Sequence, residues 1–504
     1  MGRIVVIGAG VGGLAAALVA AGRGCEVLVL ERAAGPGGKL REIEIEGRRI
    51  DAGPTVLTMR DVFDDLFAEA GASFDDHIKL KRAAVLARHV WTDCSRLDLF
   101  SDVQANADAI GAFAGAAEAR GYREFAARSA GILDTLENSF IRAARPGPLS
   151  LTRRVGLLNI SRLLAISPFE TLWSALGEHF RDLRLRQLFA RYATYCGASP
   201  FLAPATLMLV AEVERRGVWY VEGGMRRLAE AMRAAAERAG ARFRFGVAVA
   251  RIALENGRAR AVVTKDGERI EADGIVFNGD VSALGMGLLG GAAARAADAT
   301  PPRRRSLSAL TLVGMGRPRG FPLIRHNVFF GADYAGEFEA IFKQSRLPAE
   351  PTTYVCASDR EDEATGEDAP ERLFVLVNAP AVGARGLESE DLQSCESAAM
   401  RLMRRCGLTV EMSAVQRTGP AEFARLFPAT GGALYGAASH GWKASFERMG
   451  ARSRLPGLYL AGGSAHPGPG VPMAALSGRQ AALTLISDLV STRKFRRAAI
   501  AGGM

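Results

Sequence analysis

Ile4-Val5-Val6-Ile7 is an aliphatic run that ends in Gly8-Ala9-Gly10-Val11-Gly12-Gly13. An alanine-rich stretch follows, and a second run, Val27-Leu28-Val29-Leu30, ends on Glu31 and Arg32. The pattern predicts strand, tight turn, helix and strand. Residues 42–46 alternate charged and aliphatic positions, which predicts an edge strand closed by a turn at Gly47. From residue 61 to about 225 the period becomes helical. Asp61-Val62-Phe63-Asp64-Asp65-Leu66-Phe67 puts apolar residues at helical spacing behind an Asp cap, and 103–143 and 150–190 carry the same periodicity.

After Gly217-Val218-Trp219-Tyr220-Val221-Glu222-Gly223-Gly224-Met225 the pattern changes again. A helix is predicted up to Ala239, then strands at 242–245, 247–252, 259–265, 269–272 and 274–277, ending in Asn278-Gly279-Asp280. Residues 290–450 alternate predicted strands (309–313, 352–356, 373–377) with a helix at 389–405, and the acidic stretch 359–371 reads as a solvated loop. The chain returns to an apolar strand at 458–460, crosses Gly462-Gly463-Ser464-Ala465-His466-Pro467-Gly468-Pro469-Gly470 and starts a long helix with Pro472 in its first turn. β structure thus resumes after a helical insertion, which predicts a discontinuous domain on 1–60, 225–290 and 450–490. A mainly helical substrate or membrane-associating region is predicted on 61–224, substrate-domain strands and helices on 291–449, and a frayed basic tail on 491–504.

The first turn carries chemistry. Gly8 makes the bend, Gly10 lets a pyrophosphate approach the backbone, Gly12 completes the loop, and Gly13 lets the helix pack on the strand. The helix N-terminus offers free N–H groups and a positive dipole end to phosphate. Glu31 stands where a carboxylate takes the hydroxyls of an adenosine ribose and repels a 2′-phosphate, so FAD or NAD is indicated rather than NADP. Gly37-Gly38-Lys39 suits a loop laid flat on phosphate, with Lys39 or Arg41 supplying charge. Asp51-Ala52-Gly53-Pro54-Thr55 is a small-residue bend where backbone passes close to a flat ring. NAD gives no reason for the second glycine-rich strand and helix near residue 470, whereas the longer FAD does. Free N–H groups there would stabilise negative charge on a flavin's pyrimidine ring.

Composition adds a partner. The net charge is +10 over 504 residues, mostly from arginine, and favours an anionic surface. With aromatics at 7% and no nucleic-acid motif, a membrane surface is expected and nucleic acid is not. Arginines 142, 145, 153, 154 and 162 stand beside Leu157, Leu158, Leu163, Leu164, Ile166, Phe169, Leu172 and Trp173, a composition that fits an interfacial helix or an ordinary amphipathic one. No uninterrupted apolar run is long enough for a transmembrane helix. The six cysteines and six histidines show no metal spacing, and the thiols read as reduced in a cytoplasmic protein.

Gly8 to Glu31, Gly37-Gly38, Asp51 to Thr55, Gly217 to Gly224, Asn278-Gly279-Asp280 and the stretch 458–472 together resemble the bacterial phytoene-desaturase-type carotenoid desaturases. Gly53-Pro54-Thr55-Val56-Leu57-Thr58-Met59-Arg60 and Pro472-Met473-Ala474-Ala475-Leu476-Ser477-Gly478 are similar to the 1-hydroxycarotenoid 3,4-desaturase branch of photosynthetic bacteria. The resemblance implies an α/β fold: a Rossmann-like FAD-binding domain of the glutathione-reductase/amine-oxidase type with a discontinuous α+β substrate domain. It implies FAD contacts from Gly8, Gly10, Gly12, Gly13, Glu31, Arg32, Gly38, Lys39, Gly53, Pro54, Thr55, Val249, Asp280, Gly462, Gly463, Pro472 and Met473. It also implies an acyclic carotenoid substrate, oxygen or a quinone as reoxidant, and peripheral attachment to the cytoplasmic face of the inner membrane.

Desaturating an allylic C–C bond needs hydride delivery to flavin and loss of a proton from the neighbouring carbon. The polyene delocalises the charge, so positioning and cofactor electronics supply most of the catalysis. The candidate bases are Glu212, Glu214 and Asp51, each also readable as a structural acid. His466 either orients the flavin loop or holds backbone carbonyls. A 1-hydroxy end group is expected to meet polar side chains at the tunnel's end. Phytoene desaturation, carotene isomerisation, amine oxidation and non-catalytic prenyl-lipid escort remain open alternatives.

Overall fold

The computed structural model describes residues 2–144, 147–156, 165–360, 370–383 and 386–501. The first aliphatic run forms the strand Arg3–Ile7, which takes parallel partners on both sides, Glu26–Glu31 and Gly274–Phe277. Leu458–Leu460 and Arg242–Phe245 complete a five-stranded parallel sheet at its two edges. Because every side chain on these strands alternates between faces, each face needs its own cover. Ile4, Val6, Val27 and Val29 pack under the helix Val11–Gly22 and the final helix, which begins at Val471. Val5, Leu30, Ile275 and Leu458 pack with Ile252 and Val262 of a three-stranded antiparallel sheet, Val249–Glu255, Arg258–Thr264 and Arg269–Glu271. Leu14 and Leu18 are fully buried between these layers, each worth about 2 kcal/mol of transfer free energy.

The second layer system is a seven-stranded mixed sheet in the order Thr409–Thr418, Ser308–Arg319, Glu371–Ala379, Thr353–Ala357, His326–Phe329, Val85–Val90, Arg96–Phe100. Its last two strands add to the mainly helical region 61–224 a part that the sequence did not indicate: Val85–Val90 pairs in parallel with His326–Phe329. Leu80–Arg82 likewise pairs with Trp219–Val221. These partners lie far away in sequence, so short apolar runs between charged residues gave no local period to distinguish strand from helix. Elsewhere the helical reading stands, with Ala116–Leu136 running into a π turn at Glu137–Ile141. The predicted helix at 389–405 is present as Ser389–Arg405. The final helix runs Val471–Ala501, so it takes in residues 491–501 of the predicted tail. Arg145, Leu157, Leu158, Arg162, Leu163 and Leu164 of the expected amphipathic segment lie outside the described residues, as does most of the acidic stretch.

Candidate active site and cofactor cradle

The carboxyl ends of the three central strands coincide, since Ile7 lies opposite both Leu30 and Phe277. Gly8 turns away there with φ +98°, and its N–H donates to the Leu30 carbonyl at 2.8 Å. Gly10 precedes the helix, and no side chain caps that N-terminus. Its first N–H groups are left to a ligand. The second glycine loop lies flat on the first: the Gly37 N–H donates to the Ala9 carbonyl at 2.8 Å, and a Cβ on Gly38 would stand 3.2 Å from the Gly10 Cα. Glu31 accepts the Ala9 N–H at 2.7 Å and the Ala33 N–H at 2.8 Å, which aims its half-buried carboxylate along the loop. Val247 donates to the Glu31 carbonyl at 2.9 Å, so the strand that starts at Val249 begins beside that acid.

In the sequence Asn278 stands out only as part of the Asn278-Gly279-Asp280 motif, with no role of its own. Its Nδ2 donates to the Gly8 carbonyl at 3.2 Å. Its Oδ1 occupies the space that a Cβ on Gly12 or Gly462 would need, at 2.6 and 2.9 Å. One amide therefore stitches both glycine turns together. Asp280 caps the helix Val281–Gly285 through Ser282, and Ser464 on the far loop accepts the Val281 N–H at 3.0 Å.

At the far end, Pro472 occupies the second position of the last helix, as the sequence indicates. The loop before it is pinned from two sides. His466 Nε2–H is shared between the Phe140 and Ala143 carbonyls at 3.0 and 2.8 Å, and burial pushes this imidazole down to about 4. Arg448, buried, donates to the carbonyls of Tyr435, Ala437 and Gly463 at 3.2, 2.7 and 3.3 Å. Its guanidinium is thus a fixed cation beside the loop.

Between the two loops lies a cavity of about 470 Å³. Lys39, Gly53, Pro54, Thr55, Pro472 and Met473 all line it, whereas Gly462 and Gly463 do not. Its walls are largely apolar, with Leu207, Val210, Val213, Phe374 and Leu376 among them. Two polar clusters break that lining. Tyr354 Oη lies 2.7 Å from both Thr55 Oγ1 and His326 Nδ1. Burial first, then Arg325 and Arg191, pushes His326 down to about 3, so its ring is neutral. In the second cluster Arg191 Nη1 donates to Tyr195 Oη at 2.6 Å, and Tyr195 and Tyr192 donate to Glu214 at 2.7 and 2.8 Å.

Of the three candidate bases the structure brings only Glu214 to the cavity. Asp51 does not line it. It accepts the Met225 N–H at 2.9 and 3.1 Å and closes the Gly223-Gly224 turn, with burial pushing it up to about 6. Glu212 is held by Arg215 at 2.6 Å and Arg216 at 3.0 Å. Both are structural acids, because their partners come from neighbouring backbone and from the same helix turn. Two further side chains reach away from the glycine loops. Lys39 Nζ donates to the Leu434 carbonyl and stands 5.3 Å from the Phe427 ring, so its charge goes to the cavity wall rather than to the glycine loop. Arg32 is exposed and donates to the Leu426 carbonyl. Both side chains are long enough to reach a different element from the one their sequence neighbours build.

The cradle fits FAD: an uncapped helix N-terminus, a carboxylate beyond the second strand, two interlocked glycine loops, and a second strand–helix unit bordering a flat apolar space. Comparison with known proteins agrees. Residues 11–486 match the family model described as flavin containing amine oxidoreductase. A hydroxyneurosporene desaturase of Rubrivivax gelatinosus is 54% identical over 100% of this chain and 96% of its own. A 1-hydroxycarotenoid 3,4-desaturase of a Flavobacterium is 30% identical over 95% of this chain and 98% of its own. The crystal structure of an oxidoreductase from Methanosarcina mazei shares the fold, with a TM-score of 0.58 at 16% identity over 95% of this chain and 99% of that one. The chain belongs to the flavin-containing amine oxidoreductase family, within its carotenoid desaturases, and its cofactor is FAD.

Proposed function

We propose that this protein introduces the C-3,4 double bond into acyclic 1-hydroxycarotenoids while seated on the cytoplasmic face of the inner membrane. The observation that carries the reading is the course of the cavity, from the Pro467–Met473 flavin loop to an exposed aromatic rim. Trp442 lines the cavity yet is 38% exposed, and its ring lies 5.5 Å from that of Phe169, which is 76% exposed. Leu202, also exposed, accepts the Gly441 N–H beside them. Lys443 stands over the Trp442 ring at 5.3 Å. An apolar rim with a cation suits an anionic lipid surface, through which a water-insoluble polyene enters. No helix among the described residues is long and apolar enough to cross a membrane, so a surface seat is the form of attachment proposed.

Bound FAD supplies the hydride acceptor. The protein's own part is to hold the polyene end against the flavin loop, to keep water out, and to take up the proton. Glu214 is the one carboxylate lining the cavity among the described residues, and it is assigned that proton. The hydroxyneurosporene and 1-hydroxycarotenoid relatives support this substrate class. Oxygen or a quinone completes the cycle as reoxidant.

The test is product analysis with flavin-loaded protein in lipid vesicles, given a 1-hydroxycarotenoid, its counterpart lacking the hydroxyl, and phytoene. The expected result is one new double bond next to the hydroxylated end. Consumption of phytoene instead would move the protein to phytoene desaturation. A protein that keeps no flavin and binds the polyene unchanged would be a lipid escort.

A further inference from the structure

The hydroxylated carbon C1 is two bonds from C3, so hydroxyl recognition and hydride removal share one end of the cavity. That end holds a charged side chain without a full set of partners. Arg191 is 7% exposed and lines the cavity, and its Nε is buried with no hydrogen-bond acceptor among the described residues. A buried guanidinium lacking an acceptor is costly unless a ligand completes it.

The rest of the cluster fixes it in place. Nη1 is committed to Tyr195 Oη at 2.6 Å, and Tyr195 is committed to Glu214 at 2.7 Å. The Arg191 guanidinium carbon lies 5.0 Å from the Tyr195 ring centre and 5.7 Å from that of Tyr192. The cluster also sits at the flavin end. A Cβ on Gly197, two residues past Tyr195, would stand 2.7 Å from the Tyr435 side chain, and Arg448 donates to both the Tyr435 and the Gly463 carbonyls.

We propose that Arg191 and Tyr195, braced by Glu214, form the subsite that receives the substrate's C1 hydroxyl and so select hydroxylated over unhydroxylated carotenoids. The hydroxyl oxygen accepts from the guanidinium, and its proton is free for the second lone pair of Tyr195 Oη. A hydrocarbon end leaves the cation unsatisfied against apolar carbon, which is the source of discrimination. His326 Nε2 is also buried without a partner among the described residues, but its ring is tied to Tyr354, which also meets Thr55, and it carries no charge. This inference rests on the substrate reading above.

The experiment compares kcat/KM for a 1-hydroxycarotenoid and its unhydroxylated counterpart in wild type, Arg191→Leu, Tyr195→Phe and His326→Gln. Flavin content and melting temperature are measured on each protein. Wild type is expected to prefer the hydroxylated substrate by about 10³-fold or more, on the scale of sites built around a hydroxyl. Arg191→Leu is expected to bring the ratio within about 10-fold, and Tyr195→Phe, which keeps the ring and the fold, to lower it by at least about 10-fold. A ratio unchanged in both variants, or moved only by His326→Gln, overturns the subsite and leaves the substrate reading intact. A wild type that prefers the unhydroxylated substrate overturns both.

Discussion

A methyl group on Gly13 would stand 2.0 Å from the carbonyl oxygen of Gly8. The first helix therefore rests directly on the first turn, with no room for any side chain. Gly13→Ala forces the helix away from the strand end, an overpacking cost of about 1–3 kcal/mol or more. Flavin absorbance per polypeptide is expected to collapse and the melting temperature to fall. A Gly13→Ala protein that purifies with a full complement of flavin would contradict the cradle described above.

Asp51 separates structure from chemistry. Its two short bonds from the Met225 N–H hold the turn that leads into the helix Arg226–Arg238. Asp51→Asn is expected to cost about 1–2 kcal/mol of stability. Turnover at a temperature where the variant is folded should stay within a few-fold of wild type. Losing a general base would instead cost about 10²–10⁴-fold. Thermal melts and steady-state rates on the same preparation distinguish the two.

Acid should destabilise the protein in a defined window. His326 is pushed down to about 3 and His440 and His466 to about 4, chiefly by burial, from an ordinary value of 6.5. The unfolded chain takes up protons at these rings as pH falls below 6.5, and the folded chain does not. Their stabilisation is complete above that value and is lost as pH falls toward 4, each contributing on the order of 1–3 kcal/mol. Asp51, pushed up to about 6, acts in the opposite direction, since the folded state takes its proton first. Three groups outweigh one. Melting temperature is expected to fall steadily from pH 6.5 to 4.5, and a flat or rising profile would refute this balance.

The aromatic rim predicts how the protein meets lipid. Replacing Phe169 and Trp442 together with serine removes two exposed rings that meet edge to face. At about 2 kcal/mol for each ring that enters the interface, vesicle affinity should drop by about 10²-fold or more. Co-sedimentation with anionic vesicles measures it directly. Unchanged sedimentation would place the lipid contact elsewhere on the surface.

The first strand, turn, helix and second strand could be read from the sequence because everything that specifies them is local. Glycine spacing, two aliphatic runs on either side of an alanine-rich stretch, and a terminal acid all fall within residues 4–31. The glycine-rich strand and helix near residue 470 were legible for the same reason. The candidate acids were not. Asp51, Glu212 and Glu214 look alike in sequence, and only the fold decides that two of them bind backbone or arginine while the third meets the cavity.

The roles of Arg191 and Asn278 were not legible, because the contacts that define them lie on other elements: Tyr195, which Arg191 bonds, is tied to Glu214 on a later helix, and Asn278 meets Gly8 and Gly462 near opposite ends of the chain. His466 was flagged with two meanings, and its carbonyl partners at 140 and 143 settle it as a pin for the loop. The sequence alone determined which cofactor class the chain can cradle, since a tight turn and a helix N-terminus are properties of a few neighbouring residues. The tertiary structure decided which polar groups face the cavity, since an unpaired buried group is defined only by everything packed around it.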